Sequence, residues 1–248
     1  MAVYTNTGIS QILLESKKEL GILFLHHRND KLTKYHFDLL KQNNEDAIIF
    51  PIQDETKEGL PGAIKLDKNN IYWDIDTDRG YSEDAYIYRF LLSKIGKENK
   101  CKRYVVVEYD TYVNDNLKNI YQNVWNKEGL FGAHVATPIS HPHPKCGWWE
   151  EKNTVMTVGK YGPKLKKYLI NVAPLCGIFG TYDVFNSITQ TAIKSAFYHF
   201  QCETRVATIA KLLEISVEEI SKTFGRRVMS SDVSIENEPG FYHRIKTL

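Results

Sequence analysis

The apolar positions of this chain fall into short runs separated by longer amphipathic stretches. Gly21-Ile-Leu-Phe-Leu25 is a continuous apolar run, the pattern of a strand buried on both faces. A polar turn from His26 to Asp30 follows. Leu32, Tyr35, His36, Leu39 and Leu40 then recur at helical spacing, with Asp30 placed as N-cap. Ala47-Ile-Ile-Phe50 reads as a second buried strand, closed by Pro51. A second helix is predicted after Ser82, a candidate N-cap, with Ile87, Phe90, Leu91 and Ile95 on its stripe. Tyr104-Val-Val-Val107 is the strongest strand signal, being aromatic and β-branched throughout. A third helix carries Leu117, Ile120, Tyr121, Val124 and Trp125. Phe131 to Val135 and Ala173 to Phe179 read as further strands. Val184, Ile188 and Ala192 mark one more helix, and Val206, Ile209, Ala210 and Leu213 another. The tail from Met229 to Leu248 is irregular, with a turn at Pro239-Gly240.

Alternating strands and helices imply parallel βαβ crossovers, so the expected class is α/β: a single three-layer, mostly parallel sheet. No internal repeat, low-complexity tract or linker interrupts the pattern. Residues 1–248 are therefore expected to form one domain with an irregular C-terminal tail.

Composition narrows the function classes. The chain has 248 residues, with 32 Lys plus Arg against 30 Asp plus Glu, a net charge of +2. Such a balance argues against a dedicated nucleic-acid surface. No stretch approaches the ~18 apolar residues of a membrane span. Met1 to Ser10 lacks the basic-then-apolar pattern of a signal peptide. Cys101, Cys146, Cys176 and Cys202 are widely spaced and form no C-x-x-C, which fits reduced thiols and a cytoplasmic location.

Ligands of open α/β sheets bind beyond the carboxyl ends of the strands. The strand ending at Val107 runs directly into Glu108-Tyr109-Asp110. If the extended conformation continues, both carboxylates point to one side. Two carboxylates so close repel each other, and a divalent cation removes that penalty. Oxygen ligands together with phosphate suit Mg²⁺ or Mn²⁺. A solvated acidic turn is the plainer alternative. Near the C-terminus, Phe241-Tyr-His-Arg-Ile-Lys246 adds an imidazole at His243 and an ammonium at Lys246, preceded by Gly240, which permits close backbone approach. A basic surface tail is the plainer reading of that segment. Asp74-Ile-Asp-Thr-Asp78 resembles the start of a Ca²⁺ loop, but Arg79 stands where an EF-hand needs Gly and Ala85 where it needs Glu, so an EF-hand is excluded. His134, His141, His143 and Cys146 offer zinc donors, although Pro142 and Pro144 interrupt them. Trp148 and Trp149 close that loop; one of them is either a stacking platform for a sugar or a packed core residue. The chain has no G-x-G-x-x-G, no P-loop and no G-x-S-x-G elbow.

The Glu108-Tyr109-Asp110 motif after a sheet strand, with His243 to Lys246 near the C-terminus, resembles the GT-A-fold glycosyltransferases. That resemblance implies a D-x-D-type metal site for a nucleotide-sugar donor. It implies Asp110 and His243 as ligands of Mn²⁺ or Mg²⁺, and Glu108 at or near the ribose or metal. Lys246 would neutralise the leaving diphosphate. The segment from His26 through Arg28 to Asp30 would lie by the nucleobase and ribose. The first position of the motif is Glu rather than Asp. Asp78 and Arg79 are further candidates to face the donor. An inverting reaction needs a base for the acceptor hydroxyl. Glu203, opening the helix from Glu203 to Leu213, is the first candidate and Asp183 the second, although both also suit helix N-terminal positions. The expected activity is sugar transfer to a hydroxyl acceptor, a glycan or another alcohol. A nucleotidyltransferase and a non-enzymatic α/β binding module are the alternatives. The first would want a glycine- and arginine-rich loop near the first strand, where only Arg28 stands.

Overall fold

A computed structural model describes residues 19–54, 58–66, 83–132, 168, 175–194, 202–220 and 240–243. The described chain builds β1 (Leu20–His26), α1 (Lys31–Asn43), β2 (Ile48–Asp54), β3 (Ile64–Leu66), α2 (Asp84–Leu92), α3 (Lys94–Glu98), β4 (Arg103–Glu108), β5 (Thr111–Val113) and α4 (Leu117–Ile120). It continues with β6 (Leu130–Gly132), β7 (Phe179–Thr181), α5 (Tyr182–Ala192), α6 (Cys202–Leu212), β8 (Val217–Glu219) and β9 (Phe241–His243). A seven-stranded sheet has the order β3-β2-β1-β4-β7-β6-β8, and β5 and β9 form a separate two-stranded sheet.

The α/β class predicted from alternation is observed, as a mixed sheet. β1, β2, β3 and β4 run parallel, as do β6 and β8, while β7 is antiparallel to both β4 and β6. Strand alternation assigns the two faces. Leu23, Leu25, Tyr104 and Val106 meet Ile87, Phe90 and Leu91 of α2, Phe185 and Ile188 of α5, and Val206 and Ile209 of α6. Ile22, Phe24, Val105 and Val107 meet Leu40 of α1, Leu117 and Ile120 of α4, and the turns that carry Tyr121 and Trp125. Helices thus cover both faces of the sheet.

Several local expectations shift. β2 does not stop at Pro51, which pairs opposite Phe24. β3 joins only from Ile52 onward, so one edge of β2 is open at Pro51, where a missing N–H is tolerated. In α1 the buried face is Thr33, His36 and Leu40, and Tyr35 turns outward. Asp30 caps that helix as expected, accepting from the Thr33 N–H at 2.8 Å. Glu83 rather than Ser82 occupies the N-cap position of α2; Ser82 lies outside the described residues. Ser93 adopts an extended conformation and ends α2, then caps the short α3 through Gly96 N–H, which leaves Ile95 exposed. The third predicted helix shrinks to Leu117–Ile120, although Tyr121, Val124 and Trp125 remain buried. Of the strand expected over 173–179, the described residues 175–178 are not strand and β7 begins at Phe179. Among the described residues, no helix is long and apolar enough to cross a membrane.

Candidate functional site at the carboxyl end of the sheet

β1 and β4 run side by side, with Leu25 opposite Glu108, so the segments that follow them emerge together. The Tyr109 N–H continues the ladder to the Leu25 carbonyl at 2.9 Å. The chain then leaves the extended conformation: Tyr109 and Asp110 form a turn between β4 and β5. The exposed residues after β1 close on the Tyr109 ring. His27 meets it edge-on, with centroids 4.4 Å apart, and the Arg28 guanidinium lies 5.3 Å from its centre.

The turn is fixed from below. His36, 1% exposed, places Nδ1 3.0 Å from the Tyr109 carbonyl oxygen. A carbonyl only accepts, so Nδ1 carries the proton and donates. Burial holds the His36 pKa below its ordinary value, while the Tyr109 carbonyl and the charges of Asp110 and Asp30 act the other way. Cys176 lies under the same turn, its sulfur accepting from the Glu108 N–H at 3.4 Å and 2.9 Å from Thr111 Oγ1. Burial pushes this thiol well above its ordinary range, so it stays protonated and inert. Cys101 and Cys202 are also buried.

β9 then pairs antiparallel with β5, setting Thr111 opposite His243, Tyr112 opposite Tyr242 and Val113 opposite Phe241. Phe241 is fully buried against the sheet. The Gly240 N–H donates to Asn114 Oδ1 at 2.6 Å, and the Asn114 N–H donates to the Gly240 carbonyl at 3.2 Å. The backbone of His243 therefore lies across the ladder from the residue that follows Asp110. Asp110 is 6% exposed and Glu108 is half-buried.

The starts of α2 and α6 flank the carboxyl end of β4 on the other face. Phe90, in the last half of α2, lies 6.3 Å from Tyr104 near the beginning of β4. Seven residues back along a helix is about 10 Å, which brings Glu83 to the level of Glu108. The Cys202 thiol donates to Glu83 Oε2 at 3.2 Å. One residue further in, Asp84 and Arg205 form a bidentate ion pair with both side chains fully buried, including Nε to Oδ2 at 2.7 Å. Burial raises the Glu83 pKa above its ordinary value, and the nearby charges of Glu108 and Asp84 add to this.

The structure thus gathers Arg28, Glu108, Asp110 and the backbone of His243 at one end of the sheet. Two sequence candidates fall elsewhere. His26 is 5% exposed and turned inward, its Nε2 accepting the Leu60 N–H at 3.1 Å; it shapes the 59–60 turn instead of lining the site. Asp183 follows β7, and because β7 runs antiparallel to β4, Thr181 pairs with Arg103 at the amino end of β4. That puts Asp183 about 17 Å of strand away from Glu108. Asp183 is an exposed first-turn residue of α5, a position favoured by the helix dipole. Glu203 lies in the first turn of α6 beside Cys202, at the same end as Glu108. Asp78, Arg79, Lys246 and the loop with His134, His141, His143, Cys146, Trp148 and Trp149 lie outside the described residues. Among the described residues, no cluster of three or more His, Cys, Asp or Glu side chains is placed to hold a metal ion; the imidazole of His243 is not among the described side chains.

Sequence reasoning did not find Glu83, and it placed His27 only within the His26 to Asp30 segment and His36 only on the stripe of its helix. A histidine inside an amphipathic stripe, as His36 is, carries a weak signal of a polar contact made from the core. Glu83 is visible only as half of an acidic pair before a helix. No protein-family model and no curated protein matches the chain.

Proposed function

We propose that the chain is a metal-dependent glycosyltransferase of the GT-A kind, moving a sugar from a nucleotide-sugar donor to a hydroxyl acceptor. The observation that carries this reading is the β5–β9 ladder. It brings the backbone of His243 opposite Thr111, next to Asp110, although the two strands lie in distant parts of the chain.

Two carboxylates and an imidazole form a donor set that suits Mn²⁺ or Mg²⁺. Asp110 and His243 would hold the ion, with Glu108 at or near the ribose or metal. When bound, the ion supplies charge stabilisation for the departing diphosphate. Lys246, three residues beyond His243, adds a second positive charge for the same oxygen atoms. Arg28 and Tyr109, already in contact, offer a flat cationic and aromatic surface for the nucleobase and ribose. Asp78 and Arg79 are further donor-side candidates. Glu203 stands near the acceptor side, at the start of α6.

Calorimetry with UDP and GDP in the presence of Mn²⁺ tests the reading. The parent chain is expected to bind one of them, and EDTA to abolish that binding. Asp110→Ala is expected to weaken it at least tenfold. Unchanged metal-dependent binding by Asp110→Ala overturns the metal assignment.

A further inference from the structure

Resting on the transferase reading, we propose that Glu83 is the catalytic base: its carboxylate takes the proton from the acceptor hydroxyl. Two carboxyl groups open helices at this end of the sheet, Glu83 before α2 and Glu203 within α6. The contacts of Glu83 carry this assignment.

Its backbone is rigidly placed. Asp84 and Arg205 form a fully buried bidentate pair that locks the start of α2 to α6. One residue back, the Cys202 thiol donates to Oε2 at 3.2 Å and orients the carboxyl group. One contact is made by the next residue, Asp84, and the other by the Glu83 carboxyl group itself, and together they hold its position. The pair sits at the level of Glu108, because Phe90 of the same helix packs on Tyr104 near the opposite end of β4. Glu83 is therefore across the end of β4 from the Tyr109 face, where Arg28 and the β1 loop offer the nucleotide surface. A donor held at Asp110 leaves the α2–α6 side for the second substrate.

The chemical environment suits a proton acceptor. Glu83 is only half-buried, so a substrate hydroxyl can reach it. Among the described residues, Cys202, Asp84 and Glu108 act on it, and Arg205 is engaged by Asp84. Burial is the main reason that the proton is held more tightly than by a solvated glutamate. A base needs that affinity in order to take a proton from an alcohol in the transition state. In the step itself, the acceptor oxygen forms a bond to the anomeric carbon. The bond from that carbon to the diphosphate oxygen breaks and its electron pair leaves with the diphosphate. The acceptor proton passes to a Glu83 carboxylate oxygen.

The test uses the full chain with Mn²⁺ and the UDP- or GDP-sugar that it turns over. Glu83→Gln is expected to bind UDP or GDP as the parent does while its kcat falls about 10²- to 10⁴-fold, with the donor KM unchanged. Glu83→Ala is expected to regain part of its turnover when formate is added. The binding assay reports folding of both variants. Turnover by Glu83→Gln within tenfold of the parent overturns the assignment, as does equal loss of nucleotide binding and turnover. A parent chain that binds neither nucleotide overturns the transferase reading itself and this assignment with it, an outcome distinct from a variant that binds and still turns over.

Discussion

His36 works at one atom. Its Nδ1–H satisfies the Tyr109 carbonyl and so holds the middle of the Glu108-Tyr109-Asp110 turn. His36→Leu keeps the apolar volume but removes the donor. It is expected to cost about 1–3 kcal/mol in urea denaturation and to weaken metal-dependent nucleotide binding. The same residue makes stability depend on pH. Burial holds His26 and His36 below 6.5 in the folded chain. Above 6.5 both are neutral in either state and their contribution is complete. As pH falls through about 6.5 the unfolded chain takes up protons that the folded chain resists, so stability drops. Glu83 runs the opposite way. Its carboxyl lies above 4.5, so its contribution is complete below that value and declines as pH rises through the raised folded value. Thermal melts at pH 7, 6 and 5 are expected to show a falling Tm over this histidine window. The slope should be shallower in His36→Asn, which keeps a donor and loses the titration.

At the scale of elements, the junctions between helices carry the sharpest constraints. A Cβ on Gly96 would lie 2.0 Å from the Phe90 carbonyl oxygen and 2.9 Å from its carbon, both backbone atoms that cannot rotate aside. Gly96→Ala is therefore expected to push α3 off α2 and to destabilise by about 1–3 kcal/mol in chemical denaturation. The Asp84–Arg205 pair joins α2 to α6. Asp84→Ala leaves a buried guanidinium without its partner and should cost about 3–5 kcal/mol, whereas replacing both residues by apolar ones of similar volume should cost far less. Denaturation of the single and paired variants separates the two effects. This scale also shows what a sequence reader can see. Asp30 before a stripe and Tyr104 to Val107 as an unbroken β-branched run are local signals, and both formed the expected elements. Pro51 inside β2 and the break at Ser93 were hidden, because each depends on a neighbour: where β3 starts, and how closely Gly96 approaches Phe90. The Glu108–Asp110 motif was readable as chemistry. That His26 turns inward was not, since the Leu60 amide that captures it comes from a separate loop.

At the scale of the whole molecule, fold and candidate site meet in β9. Three residues are too few to form a strand by propensity; β9 exists because Phe241 is buried against the sheet and its backbone pairs with β5. Phe241→Ala is expected to cost about 3–5 kcal/mol. Because β9 lies outside the seven-stranded sheet, the far-ultraviolet circular dichroism should stay near that of the parent while nucleotide affinity falls. Equal affinity in the two proteins would detach His243 from the site. The antiparallel placement of β7 has a similar reach: it moves the start of α5, and Asp183 with it, to the end of the sheet remote from Glu108.

The β5–β9 ladder also has a consequence in time. Asn114 and Gly240, which bond to each other at its end, are 126 residues apart, whereas the β1 loop meets the β4 turn across a much shorter span. Closing so long a loop is entropically costly and is repaid only once a surface exists for Phe241 to bury into. The main sheet should therefore form first and the ladder last. In a refolding experiment started by dilution from denaturant, the helical signal should recover before the capacity to bind Mn²⁺ and nucleotide. The interval between the two would measure how long the molecule exists as a finished scaffold with an unassembled site.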